Sequence, residues 1–137
     1  MTAFLDTNIL IYRIDLLAPV KQKRAAELVN ELYLAGEAVL STQVLQEFYN
    51  TATGKFRLPP ADAALAAQAH ARTRVVQLTL PLIFAAMARH AGGQFSFWDA
   101  LIVEAALAGG AKVLYTEDLR DGLVIDGLTI RNPFLAA

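Results

Sequence analysis

The sequence predicts an α/β domain built on a mostly parallel sheet with helices on both faces. Short β-type apolar runs alternate with helical ones from one end of the chain to the other. No internal repeat, long linker or low-complexity tract interrupts that alternation. With 137 residues, 55% of them hydrophobic, the chain is expected to form one domain over 1–137 with a sizeable core.

The elements follow in order. "AFLD" reads as a first buried strand. From Pro19 to Ala35 the chain reads as a helix: proline suits a first helical position, Ala25, Leu28, Val29 and Leu32 recur at helical spacing, and Gly36 is placed to end it. "AVLST" is the next strand, followed by the helix "QVLQEFYNTAT" with Val44, Phe48 and Ala52 along one stripe. Pro59 and Pro60 separate that helix from another running to Arg72, and "VVQL" returns to strand character. Two helices, "PLIFAAMARHA" and "FWDALIVEAALA", come next, the second stopped by Gly109 and Gly110 before the strand "KVLYT". Turns around a last short strand, "LTIRN", end at Pro133.

Composition excludes several chemistries. Without cysteine there are no disulfides, thiolate metal sites or cysteine nucleophiles, which fits a reducing compartment. "MTAFLD" lacks a basic region followed by an apolar run, and later apolar windows are broken by Pro81, Asp99 and Glu104, so a cytoplasmic protein without a membrane span is expected. The net charge of −1 does not announce a nucleic-acid binder. Gathering four of the 13 acids in one pocket, however, would leave the remaining surface mildly positive against 12 basic residues.

In an open α/β sheet, ligands bind where strand C-termini and following helix N-termini share an edge. Asp6 closes the first strand, Glu47 borders the apolar stripe early in its helix, Asp99 lies in the first turn of "FWDALIVEAALA", and Asp118 follows "KVLYT". Each has an ordinary alternative. Asp6 can cap a helix starting at Thr7, Ser96 to Asp99 matches a capping box, Glu47 can be solvated and Asp118 can be a turn acid. Four such coincidences on one edge are less probable than one shared purpose. Two carboxylates about 4 Å apart repel by roughly 4 kcal/mol at an effective dielectric near 20, so a cluster needs protons or a cation. Oxygen ligands alone favour a hard ion, Mg²⁺ or Mn²⁺, and such a cluster suits phosphodiester hydrolysis.

In that order, "FLDTNILIY", "QEFYN", "FSFWDALIVEAA" and "YTEDL" resemble the PIN-domain nucleases, and with "IDGLTIRNPF" they resemble most the VapC-type toxins of bacterial toxin–antitoxin pairs. The resemblance spans essentially the whole chain. It implies a three-layer α/β/α sandwich and a Mg²⁺- or Mn²⁺-dependent endoribonuclease that hydrolyses RNA. It further implies a homodimer inhibited by a cognate VapB-type antitoxin. Asp6, Glu47, Asp99 and Asp118 match the family's acidic positions, implying catalytic and metal-binding roles; Asn8 and Thr116 match its polar support positions. Glu117 and Asp121 flank the fourth acid and are alternative ligands.

Lys55 and Arg57, with Phe56 between them, form the best of three basic groups for holding RNA, the others being Lys21, Lys23 and Arg24, and Arg72 and Arg74. His70 and His90 stand in separate alanine-rich helices and read as ordinary helix residues, which disfavours a metal-free ribonuclease. Phe97 and Trp98, beside Asp99, can contact substrate but read rather as core; Glu104 can face a partner subunit or reach back to a basic group, a solvent-facing position being the plainer reading. A phosphatase of the haloacid-dehalogenase type would need D-x-D, and position 8 is asparagine. A non-catalytic PIN-like binding module, in which the acids anchor a partner's arginines, is the reading from another functional class.

Overall fold

A computed structural model describes residues 1–135. Its order is β1 (Ala3–Leu5), α1 (Thr7–Tyr12), α2 (Pro19–Ala35), β2 (Ala38–Ser41), α3 (Thr42–Gly54), α4 (Pro60–His70), β3 (Arg74–Val76), α5 (Leu80–Ala91), α6 (Phe97–Ala108), β4 (Val113–Tyr115), β5 (Val124–Ile125) and β6 (Leu128–Arg131). The six strands form one sheet in the order β3-β2-β1-β4-β6-β5. All pairings are parallel except that of β5 with β6.

The chain steps outward from β1 through β2 to β3, then crosses back to lay β4 on the other side of β1. Right-handed crossovers that reverse direction put their helices on opposite faces. Accordingly α1 packs with α2 and α3, α3 with α4, and α5 with α6, while β2 meets α2 and α3 as well as α6. The result is the expected three-layer arrangement. Its centre is apolar on both faces, as a parallel sheet requires: Phe4, Leu5, Val39, Leu40 and Leu114 are essentially inaccessible.

Two helix starts are set by the anticipated Asp6 and Ser96, and a third by Ser41. Asp6, Ser41 and Ser96 cap α1, α3 and α6, accepting from the backbone amides of Thr7, Val44 and Asp99. The end of α6 lies so close to the sheet that a side chain on Gly109 would meet Val39 at 2.8 Å and Val76 at 3.1 Å. The "DG" of Asp126 and Gly127, both at positive φ (50° and 86°), makes the tight turn joining β5 to β6. β5 itself was not foreseen, since two residues carry no periodicity. Among the described residues, no helix is long and apolar enough to cross a membrane.

Candidate active site

Strand order reverses between β1 and β4, and their C-terminal ends open on a cavity of about 440 Å³. Asp6, Glu47, Asp99 and Asp118 all line it, although they come from the ends of β1 and β4, from α3 and from α6. Asn8 lines it too, while Thr116 lies buried directly behind.

Neutral side chains hold the acids in place. Asp6 is 6% exposed; one carboxylate oxygen accepts from the Thr7 amide (2.7 Å) and the other from the Thr116 hydroxyl (2.8 Å). The Thr116 oxygen in turn accepts from the Asp118 amide at 3.1 Å, so one hydroxyl ties the two acids together. Asn8 Nδ2 donates to Asp118 at 3.0 Å. Glu47 accepts from the Thr7 hydroxyl at 2.6 Å and, more weakly, from Gln43 Nε2 at 3.4 Å. D-T-N thus serves three carboxylates: its aspartate is one, its threonine steadies Glu47 and its asparagine steadies Asp118. Capping α1 occupies one oxygen of Asp6, and the Thr116 hydroxyl holds the other while the carboxylate lines the cavity.

Electrostatics report the same proximity. Burial pushes the Asp6 carboxyl up to about 7 against the donated hydrogen bonds from Thr116 and Thr7, and the charges of Asp118 and Glu47 push it further. Asp118 is also raised, chiefly by burial and by the charges of Asp99 and Glu117, while the Asn8 hydrogen bond opposes the rise. Among the described residues no salt bridge reaches Asp6, Glu47, Asp99 or Asp118.

The donor chemistry suits a hard divalent cation. All four charged groups offer oxygen, and the buried Asn8 Oδ1 and Gln43 Oε1 have no hydrogen-bond partner. Gln43 cannot relieve this by turning over, because its nitrogen faces Glu47 and the Trp98 carbonyl, both acceptors only. The acids ring the cavity rather than close on a point. As placed, no three His, Cys, Asp or Glu side chains among the described residues stand close enough together to hold a metal ion.

The remaining residues sort by their partners. Glu117 is taken by Lys21 (2.8 Å) and the Tyr12 hydroxyl (2.6 Å), and Asp121 accepts from the Asn132 amide, so neither competes with Asp118. Glu104 takes its alternative of a basic partner and not the plainer solvated position: Arg89 donates to it at 2.6 Å and reaches Asp126 at 3.1 Å, joining α5, α6 and the β5–β6 turn. His70 is buried, with its Nδ1 2.6 Å from the Tyr33 hydroxyl, and His90 Nδ1 lies 2.8 Å from the Phe95 carbonyl; neither lines the cavity. Lys55 and Arg57 are exposed and lie outside that lining, and Phe56 between them packs on the core. Trp98, expected in the core, is instead 63% exposed and lines the cavity beside Asp99. Thr7 and Gln43 are the supports that sequence reading missed; the i, i+4 spacing of Gln43 and Glu47 on α3 was the available sign.

Comparison with known proteins is consistent with this geometry. No curated protein matches the chain. Among solved structures, a toxin–antitoxin complex from Klebsiella pneumoniae superposes with a TM-score of 0.67 at 20% identity, covering 96% of this chain and 98% of that one. A DNA-bound VapBC from Salmonella typhimurium gives 0.67 at 20% identity, covering 97% and 98%. VapC20 of Mycobacterium tuberculosis, a toxin that cleaves the sarcin-ricin loop, gives 0.57 at 21% identity, covering 82% and 87%. At these identities the likeness is one of fold. The PIN domain family model matches residues 3–121, and the chain therefore belongs to the PIN domain family.

Proposed function

We propose that this protein is a metal-dependent endoribonuclease acting as the VapC-type toxin of a bacterial toxin–antitoxin pair. The observation that carries the reading is the convergence of Asp6, Glu47, Asp99 and Asp118, distant in sequence, on one cavity at the reversal of strand order. Similar structures are toxin–antitoxin complexes and a toxin that cleaves the sarcin-ricin loop, which supports the same reading. On this reading residues 1–137 form a single domain that works in the cytoplasm as a homodimer, and a VapB-type antitoxin restrains it.

The four carboxylates would hold Mg²⁺ or Mn²⁺. When bound, such an ion supplies charge against the scissile phosphate and acidifies a water for in-line attack. The chain's own part is positioning. Thr116 and the Thr7 amide aim Asp6, Asn8 aims Asp118, and Thr7 with Gln43 aims Glu47. Lys55 and Arg57, exposed away from the cavity, would add phosphate contacts that hold RNA without reading its sequence.

The test is cleavage of RNA by the purified chain, freed of any antitoxin, with Mg²⁺ or Mn²⁺ and then with chelator. Cleavage should need the ion, and Asp6→Asn or Asp99→Asn should lose roughly a thousandfold or more while keeping the fold. RNA left intact under all conditions, or cleavage indifferent to chelator, refutes the proposal. The open ring of acids favours one rival, a non-catalytic module that receives a partner's arginines. Calorimetry with Mn²⁺ alone separates the two: a nuclease binds the ion, and the binding module does not.

A further inference from the structure

We propose that Trp98 is a stacking platform for an unpaired nucleobase at the mouth of the acidic cavity, selecting single-stranded or looped RNA; this rests on the nuclease reading above. Tryptophan carries a large apolar surface, and Trp98 is 63% exposed although it lies in the first turn of a helix that is apolar apart from Asp99 and Glu104. Other large apolar residues are exposed elsewhere, on α2, α4 and α5 for example. Trp98 is the one among the described residues that lines the cavity holding the four acids.

Its placement is built rather than incidental. Gln43 Nε2 on α3 donates to the Trp98 carbonyl at 3.3 Å, so the residue that steadies Glu47 also fixes the backbone bearing the indole. Phe97, packed against the core, meets the indole edge-on with ring centroids 5.1 Å apart and planes at 66°. The indole and the Asp99 carboxylate stem from consecutive residues of one helix, and both line the same cavity. A phosphate facing a cation held by the acids and a base resting on the ring would therefore belong to the same nucleotide or its neighbour. In a duplex, each base already has its faces covered by the next pair, so the platform favours unpaired bases. The ring offers a π-face and no base-reading hydrogen bonds at that face, so the preference is for accessibility over base identity.

The chain contains a single tryptophan, so its emission reports on this ring directly. In a titration of the Asp6→Asn protein, a short mixed-sequence single-stranded RNA should quench that emission. An abasic oligomer with the same phosphates should not, and the same sequence as a duplex should quench far less. In the otherwise unaltered enzyme, Trp98→Ala should raise KM for single-stranded RNA by about 5- to 100-fold, with a much smaller change in kcat, and Trp98→Phe should recover most of the loss. Equal quenching by the abasic oligomer overturns the proposal. So does an unchanged KM in Trp98→Ala, or an effect of that variant confined to self-association in sedimentation. If Trp98→Ala fails to fold, the quenching experiment on the tryptophan-bearing protein decides alone. Absence of any metal-dependent cleavage while base-dependent quenching persists would refute the nuclease reading and leave the stacking site standing.

Discussion

Carboxylates meet two fates in this molecule. At the crossing of α5, α6 and the β5–β6 turn, Glu104 and Asp126 share the guanidinium of Arg89. At the reversal of strand order, Asp6, Glu47 and Asp118 accept only from hydroxyl, amide and backbone donors, and among the described residues no salt bridge reaches them or Asp99. The contrast is sharpest between sequence neighbours, since Glu117 is neutralised by Lys21 while Asp118 is not. Charge is balanced where it holds the fold together and left unbalanced where a cation or phosphate chemistry is expected.

The widest test of this difference is pH. The Asp6 carboxyl titrates at about 7 in the folded protein against 3.8 ordinarily. Its contribution to metal-free stability is thus complete below about pH 4 and lost as pH rises through about 7. His70 is displaced the other way, from 6.5 to about 4, by burial first and then by the nearby Arg13 charge, so its contribution is complete above its ordinary value and lost as pH falls. The two amount to about 4 and about 3 kcal/mol respectively, and between about pH 4 and 7 they oppose one another. Denaturant melts in chelator should therefore show a shallow profile for the unaltered chain. Asp6→Asn should be destabilised on acidification, and His70→Gln on alkalinisation; identical slopes in all three would break the comparison.

Next in size is Arg89. Arg89→Met leaves Glu104, 17% exposed, beside an apolar side chain, and should cost about 2 kcal/mol in urea melts after allowance for its partial exposure. Adding Glu104→Leu should restore most of that loss. Thr116→Val removes the hydroxyl shared by Asp6 and the Asp118 amide, and should weaken Mn²⁺ binding about 10- to 100-fold by calorimetry. Smallest is Lys21→Ala at the 41%-exposed partner of Glu117, where less than about 1 kcal/mol should change and RNA cleavage should stay within a few-fold.

Much of this was legible in the sequence because its signals are local. Strands, helices and caps follow from period, proline, glycine and serine, and the acids were found because each closes a strand or lies near the start of a helix. What escaped depends on one element lying on another. Apart from Asp99 and Glu104 the run "FWDALIVEAALA" is apolar all round, so period alone could not show that Trp98 faces the cavity or that Glu104 meets an arginine from the preceding helix. Thr7 and Gln43 became supports only once α1 and α3 were packed together. The hairpin lay in plain sight as "DG", but a two-residue strand has no pattern to match.

The sheet's two margins carry a last consequence. One is the three-residue β3, whose Arg74 is turned to the Gly109 carbonyl at 2.9 Å; the other is the two-residue β5. Neither presents a long unpaired ladder for a second chain to zip onto, so fibrous growth by strand addition is discouraged at both ends. Short margins of this kind leave helix flanks and side chains as the larger surface for contact between copies.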